Sequence, residues 1–219
     1  MAAARPAPYP VSLVVAGRPC LVVGGGPVAA RKVAGLAASG ARVTVVAPRV
    51  APAIAELIGR APVTVCRRRY RSGEAARYRL VVTATGVAEV DAAVAADADA
   101  AGVWVNSADD LAHCTFLLPA VHRDGPVTVA VSTGGASPAL ATWLRRRLAA
   151  GCGDALGTLA RMLEEARRRL QERGRPTTSV DWQALLDGPL PTLVGDGRLA
   201  EARRILDDAV GRDVRAGPP

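Results

Sequence analysis

Cys20-Leu21-Val22-Val23-Gly24-Gly25-Gly26-Pro27-Val28-Ala29 runs from four apolar residues through three glycines into an alanine-rich stretch. The apolar part has strand composition, and the stretch from Val28 to Ser39 has helical length and follows a proline of the kind a first helical turn accepts. G-x-G-x-x-A therefore falls on a strand-to-helix turn, the context in which that spacing carries chemistry. Gly24 permits a tight turn, Gly26 lets a pyrophosphate approach the backbone, and Ala29 lets the helix sit close to the strand. The helix start offers free amides and a partial positive charge. Gly24, Gly25 and Gly26 are thus candidate contacts to the phosphates of a dinucleotide. The competing reading is a glycine turn that holds nothing.

Outward from this turn, Arg42 to Val46, Val63 to Cys66, Leu80 to Ala84 and Val103 to Asn106 repeat the apolar strand signature of Pro19 to Val23. Ala51 to Gly59 and Glu89 to Ala101 have helical composition between them. Near-continuous apolar strands alternating with helices predict an α/β fold, a Rossmann-like and mostly parallel doubly wound sheet. From Thr115 the pattern changes. Phe116 to Ala120 and Val127 to Ser132 read as an antiparallel hairpin joined across His122 to Pro126, followed by a helix that Ser137-Pro138 opens and that runs to about Ala150. Helices are expected at Asp154 to Arg173, Asp181 to Leu186 and Arg198 to Val210, then a frayed tail from Arg215 to Pro219. The expected organisation is a dinucleotide-binding domain over 1–114, a small α+β segment over 115–150 and a helical domain over 151–219.

Composition removes several classes. Half the 219 residues are hydrophobic but only 3 % are aromatic, so the core is Ala, Val and Leu. A chain of this length removes roughly 70–75 % of its unfolded surface from water. No run approaches the roughly 18 apolar residues of a membrane span, and Arg5, Pro6, Pro8 and Pro10 break any signal-peptide core, which predicts a cytoplasmic protein. Cys20, Cys66, Cys114 and Cys152 are widely spaced, arguing for free thiols over a zinc knuckle or disulfide framework. Lys32 is the sole lysine, so no tyrosine can form the Tyr-x-x-x-Lys pair of a short-chain dehydrogenase. The net charge of +8 therefore rests on arginine, whose planar fork suits phosphate and carboxylate alike.

Three further stretches are candidate site elements. Thr83-Ala84-Thr85-Gly86 ends a strand at the carboxyl edge, where open α/β sheets bind ligands, and its small residues would let the backbone flank a nicotinamide. An ordinary small-residue strand end is the alternative. Asn106-Ser107-Ala108-Asp109-Asp110 brings two carboxylates to the same edge. Asp109 is a candidate base, set against the reading that one aspartate caps the turn at Leu111. His113 in this loop reads as a surface residue rather than a base. Ser132-Thr133-Gly134-Gly135-Ala136-Ser137-Pro138 gathers hydroxyls and free amides at a helix start, an anion site or a simple capped turn. Where an NAD site wants an acidic residue about 20 positions beyond the glycines, the chain has Ala47-Pro48-Arg49. Spacing leaves NAD and NADP open.

Gly24 to Lys32, Val45 to Pro48, Asn106 to Asp110 with Cys114-Thr115-Phe116 and Pro119-Ala120, and Val131 to Ala141 together resemble the precorrin-2 dehydrogenase family. That family includes the bifunctional dehydrogenase/ferrochelatases of siroheme synthesis. The resemblance spans residues 9 to 150 and implies NAD-dependent oxidation of precorrin-2 to sirohydrochlorin, in some members followed by insertion of ferrous iron. It further implies a homodimer formed through the segment after the α/β unit. Asp109 falls on the family's catalytic carboxylate. Pro27, Val28, Pro48 and Arg49 fall where the family holds its dinucleotide, so the missing acidic residue is a family trait and NAD the favoured cofactor. Thr83, Ala84 and Thr85 join the cofactor set, and Asn106, Ser132, Thr133, Gly134 and Ser137 the substrate set. No resident metal is expected. Leu111 departs from the family, where proline is common, and 219 residues leave no length for the methyltransferase domain fused to some members.

Two readings from other classes compete. A non-catalytic NAD-binding sensor has no need of Asp109. A nucleic-acid binder resting on Arg67-Arg68-Arg69, Arg145-Arg146-Arg147 and Arg167-Arg168-Arg169 lacks the aromatic residues that stack bases. The arginine excess instead suits a polycarboxylate tetrapyrrole, with Arg49 and the Arg145 to Arg147 run nearest the motifs.

Overall fold

The computed structural model describes residues 7–152, without the Cys152 side chain, and 155–211. The expected tail at Arg215 to Pro219, the break at Gly153, the helix start at Asp154, and Arg5 and Pro6 lie outside these residues. The chain divides into two compact units, one ending at Leu118 and the other beginning at Pro119.

In the first unit five strands form a parallel sheet: β1 (Pro19–Val23), β2 (Arg42–Val46), β3 (Val63–Cys66), β4 (Leu80–Thr83) and β5 (Trp104–Ser107), in the order β3-β2-β1-β4-β5. The helices are α1 (Pro27–Ala38), α2 (Pro52–Ala55) and α3 (Ala88–Ala100). Strand side chains alternate between two cores, which is why the strands read as near-continuous apolar runs. Cys20, Val22, Val43 and Val45 pack with Ala29 and Val33 of α1. Leu21, Val23, Val81 and Val105 pack with Val94, Ala95 and Ala98 of α3. With alanine filling the helix side of both cores, helix and sheet approach closely and no aromatic bulk is needed.

The order places β1 between β2 and β4, so the chain's winding reverses between β1 and β4, and the crevice beyond their carboxyl ends is where such folds bind ligands. The strands leave the sheet at one level. Ala47 N–H donates to Cys66 O, Gly24 N–H to Val46 O, Ala84 N–H to Val23 O and Ala108 N–H to Thr83 O, at 2.8–3.2 Å. α2 is a single turn rather than the helix expected over Ala51 to Gly59. Leu57 and Ile58 bond three residues back, and Gly59 takes φ +80° to redirect the chain toward β3.

In the second unit, β6 (Ala120–Asp124) and β7 (Val127–Val131) form an antiparallel hairpin. The first strand lies four residues later than expected. His122 to Asp124 belong to the strand, and only Gly125-Pro126, with Gly125 at φ +53°, make the turn. α4 (Pro138–Cys152) packs on the hairpin, and α5 (Leu156–Glu172), α6 (Trp182–Asp187), α7 (Leu190–Gly195) and α8 (Leu199–Gly211) follow. Leu159, Met162, Leu170, Leu190, Leu193 and Leu206 form the core of these last helices. Among the described residues no helix is long and apolar enough to cross a membrane.

Candidate active site

The three glycines of the turn have three different surroundings. Gly24 takes φ +124°, which favours glycine, and a Cβ there would fall on the Ala84 carbonyl. Gly25 is walled by the Arg49 carbonyl, where a Cβ would clash, and its own carbonyl accepts Ala51 N–H at 2.7 Å. This packing role of Gly25 went unread in the sequence, because it depends on the loop after β2 folding back. Gly26 faces open space. It is the N-cap of α1, no side chain caps the helix, and Pro27 opens it. The first-turn amides of a twelve-residue helix therefore meet an unobstructed approach beside a residue without a side chain. That cradle fits the paired phosphates of a dinucleotide. Val28 is partly buried, and Pro48 and Arg49 are exposed. No carboxylate ends β2.

At the end of β4, Thr83 and Ala84 are buried and Thr85 is partly so. The Ala84 carbonyl and the Thr85 amide form the wall against Gly24. Thr83 and Thr85 both hydrogen bond to Asp91 of α3, a residue the sequence reading passed over. Its signal was there: Asp91 occupies the apolar stripe of α3 with Val94, Ala95 and Ala98, where a carboxylate has no packing reason to be.

The end of β5 separates the roles of its two carboxylates. Asp110 Oδ1 accepts Ala112 N–H at 2.8 Å, and Oδ2 lies 2.6 Å from His113 Nδ1. The His113 contact first, then the Ala112 amide, hold the Asp110 carboxyl below its ordinary range. Asp110 is thus the cap of the turn at Leu111, and His113 is its partner. Asp109 is exposed, and its carboxylate has no hydrogen-bond partner among the described residues. Cys114 organises the loop around it. Its Sγ accepts Ser107 N–H at 3.2 Å and lies 3.3 Å from the Ser107 and Asp110 carbonyls. Asn106 is buried, and its Nδ2 donates to Phe116 O at 3.1 Å, so its amide nitrogen holds the chain within the loop. Ala108 and Phe116 pack against the core of α1. Burial first, and then the Arg31 charge, lower the pKa of Lys32 on α1, opposed by Cys114. The glycine helix and the Asp109 loop therefore lie side by side.

The Ser132 to Pro138 loop belongs to the second unit. Gly134 and Gly135 take φ +63° and +91°. Thr133 Oγ1 donates to Ser137 O and accepts Ser137 N–H, both at 3.0 Å. Ser132 Oγ accepts Gly134 N–H, and Ser137 Oγ accepts Leu140 N–H, each at 3.2 Å. Thr133 is fully engaged in shaping the loop. Ser132 and Ser137 act as acceptors there, and each keeps a proton to donate.

A glycine turn, an uncapped helix and a β4 exit packed against each other at the crevice define a nicotinamide-dinucleotide fold, and residues 11–120 match a family model for NAD(P) binding. The chain belongs to that family. Residues 124–150 match a second model, described as sirohaem biosynthesis protein central. Siroheme synthase of Methylococcus capsulatus is 38 % identical over 212 residues, which is 96 % of this chain and 45 % of that protein. Siroheme synthase of Chromobacterium violaceum is 39 % identical over 216 residues, 95 % and 45 % respectively. A solved structure titled "SirC, precorrin-2 dehydrogenase" shares 26 % identity with a TM-score of 0.74, covering 93 % of this chain and 98 % of that one. The chain is thus similar both to siroheme synthases and to a structure titled as a precorrin-2 dehydrogenase. It spans under half the length of the siroheme synthases it matches.

Proposed function

We propose that the protein oxidises precorrin-2 to sirohydrochlorin with NAD. The observation that carries this reading is an exposed carboxylate, Asp109, with no hydrogen-bond partner among the described residues, at the same carboxyl edge of the sheet as the dinucleotide cradle. Gly24, Gly25 and Gly26 hold the pyrophosphate with the α1 amides, and Pro27, Val28, Pro48 and Arg49 flank the adenosine half. Thr83, Ala84 and Thr85 flank the nicotinamide, which when bound supplies the hydride acceptor. Asp109 takes the proton that leaves the macrocycle with each hydride, so that two electrons and two hydrogens depart and the carboxylate is reset by solvent. NAD is favoured over NADP because the β2 exit, although it carries Arg49, matches the family's own pattern. The Ser132 and Ser137 hydroxyls are donors for a substrate carboxylate, with Thr133 and Gly134 shaping their loop.

A second activity, insertion of ferrous iron into the product, is supported by the same carboxylate, a hard oxygen ligand with no hydrogen-bond partner to displace among the described residues. Iron here is substrate. A homodimer through residues 115–150 is part of the reading, as is a cytoplasmic location, supported by the free thiols of Cys20 and Cys66. The test is anaerobic incubation with precorrin-2 and either NAD or NADP, following the sirohydrochlorin spectrum and reduced nucleotide together. Turnover with NAD is expected. A protein that binds the nucleotide but never turns over is a sensor, and this assignment fails. Adding ferrous ion to sirohydrochlorin with and without protein tests insertion in the same way.

A further inference from the structure

Asp91 is the one charged side chain among the buried polar residues described, which are Thr83, Asp91, Asn106 and Ser107. It sits in the first turn of α3, on the stripe that packs against the sheet, where an apolar residue would be the ordinary occupant. A carboxylate is stable in such a place only when its oxygens are well supplied with donors. Asp91 Oδ1 takes three: the Thr83 hydroxyl, the Thr85 hydroxyl at 2.8 Å and the Thr85 N–H at 3.2 Å. All three come from the last residue of β4 and the residue two beyond it. Thr85 Oγ1 also accepts Val87 N–H at 3.0 Å, so the turn through Gly86, at φ +71°, is drawn onto the same point.

What this carboxylate holds is a wall of the cofactor crevice. The Ala84 carbonyl and the Thr85 amide are the backbone atoms nearest a Cβ built on Gly24. The β4 exit therefore fits against the glycine turn with no room to spare, and Asp91 is its anchor on the side away from the ligand. We propose that Asp91 is a positioning residue for the dinucleotide: by fixing Thr85 it sets the gap between the β1 and β4 exits, and so the affinity for cofactor rather than the rate of hydride transfer. The proposal rests on the reading that the Gly24 to Gly26 turn binds a nicotinamide dinucleotide.

Three donors converge on one oxygen, so an amide oxygen at the same place can accept from the same groups, whereas a methyl cannot. NADH is titrated into the full chain by its fluorescence for wild type, Asp91→Asn, Asp91→Ala and Ser107→Ala, alongside melting curves and amide hydrogen exchange at Thr85 and Val87. Ser107 is the control. It is equally buried and is the register partner of Thr83, but its hydroxyl has no partner among the described residues. Asp91→Ala is expected to weaken NADH binding by about tenfold or more, raise the KM for NAD with kcat within about twofold, and speed exchange at Thr85 and Val87. Asp91→Asn and Ser107→Ala are expected to stay within about threefold of wild type in NADH affinity.

Unchanged NADH affinity in Asp91→Ala overturns the proposal, as does an equal loss in Asp91→Asn without faster exchange at Thr85. Should Asp91→Ala fail to fold, Thr85→Val decides: it keeps the carboxylate and removes one tether, and unchanged NADH affinity in it is equally fatal. A wild type that does not bind NADH sinks the dinucleotide reading first and is seen before any variant is compared.

Discussion

Asp109 and Asp110 are adjacent and chemically identical, yet their surroundings give them opposite work. Asp110 accepts a backbone amide and faces His113, while Asp109 stands exposed with no hydrogen-bond partner among the described residues. Asp109→Asn should therefore leave the melting temperature and NADH affinity at wild-type values while lowering kcat by about 10²–10⁴, the usual worth of a positioned base. Single-turnover kinetics with NAD and precorrin-2 measure this, and an Asn variant with wild-type kcat removes Asp109 from the chemistry. Asp97 makes a prediction about pH. It accepts Gly73 N–H at 2.7 Å, the Tyr70 hydroxyl at 2.9 Å and the Ser72 hydroxyl at 3.1 Å, tying α3 to the chain between β3 and β4. The Gly73 amide foremost, against a smaller opposing effect of burial, holds its carboxyl below the ordinary value. Burial first, then Asp97 and Glu74, push the Tyr70 phenol up to about 12 against the lowering hydrogen bond from Ala75, so it remains a donor throughout. A carboxyl whose pKa is lower folded than unfolded adds stability above the unfolded value, about 3.9, and loses it as pH falls through the folded one. Wild type should thus exceed Asp97→Asn in urea midpoint at neutral pH, with the gap closing below about pH 4. A gap that persists in acid assigns the difference to packing.

At the scale of elements, the glycine turn predicts two unlike outcomes from one chemical change. Gly25→Ala forces a methyl onto the Arg49 carbonyl, and the backbone on both sides must shift; overpacking of this kind costs about 1–3 kcal/mol. Gly26→Ala meets nothing within 4 Å, and its φ of −79° suits any residue. It should fold as stably as wild type and still bind NADH about tenfold or more weakly, because the methyl stands where the phosphates approach. Urea denaturation and NADH titration on both variants separate the two, and a Gly26→Ala protein of wild-type affinity removes the phosphates from that position. Such elements were legible where local composition decides them. β1, β2 and β3 fall on their expected residues because buried parallel strands are written as near-continuous apolar runs, broken here only by Arg42, Thr44 and Thr64. The hairpin was misplaced because polar His122, Arg123 and Asp124 read as a turn. Asp124 Oδ2 in fact accepts Gly157 N–H at 2.7 Å, a bond to a residue 33 positions away that no local pattern announces. α7 was missed because Pro189, Pro191 and Gly195 read as breakers. Proline is tolerated in a first turn, and Leu190, Leu193 and Val194 bury one face. In the site, the cradle and Asp109 were visible as motifs. The anchoring of Thr85 by Asp91 and the Cys114 hub were not, since each depends on strands and helices brought together by the sheet.

At the scale of the whole molecule, the hairpin raises the question of what completes it. Among the described residues β6 and β7 pair only with each other, so each keeps an edge that no described strand covers, and a two-stranded ribbon is marginal in water without further cover. α4 packs on it yet keeps Leu140, Trp143 and Leu148 about half exposed, at 47 %, 52 % and 48 %. Spacings of three and eight residues put these side chains on one stripe, and the Arg147 guanidinium lies 5.0 Å from the centre of the Trp143 ring. A large aromatic and two leucines on a single helical stripe are what a second copy of the same surface would bury, since a two-fold contact sets the patch against itself. Leu140→Asp and Trp143→Asp each place a carboxylate in the centre of that contact, where pairing across the two-fold also brings like charges together. Both substitutions lie on an exposed face of α4, so the monomer should still fold. Sedimentation equilibrium at micromolar concentration should show a dimer for wild type and a monomer for either variant, with the far-ultraviolet circular dichroism unchanged. A monomeric wild type, or a dimer that survives both substitutions, would mean that α4 is not the contact and that the homodimer through residues 115–150 must be given up or moved.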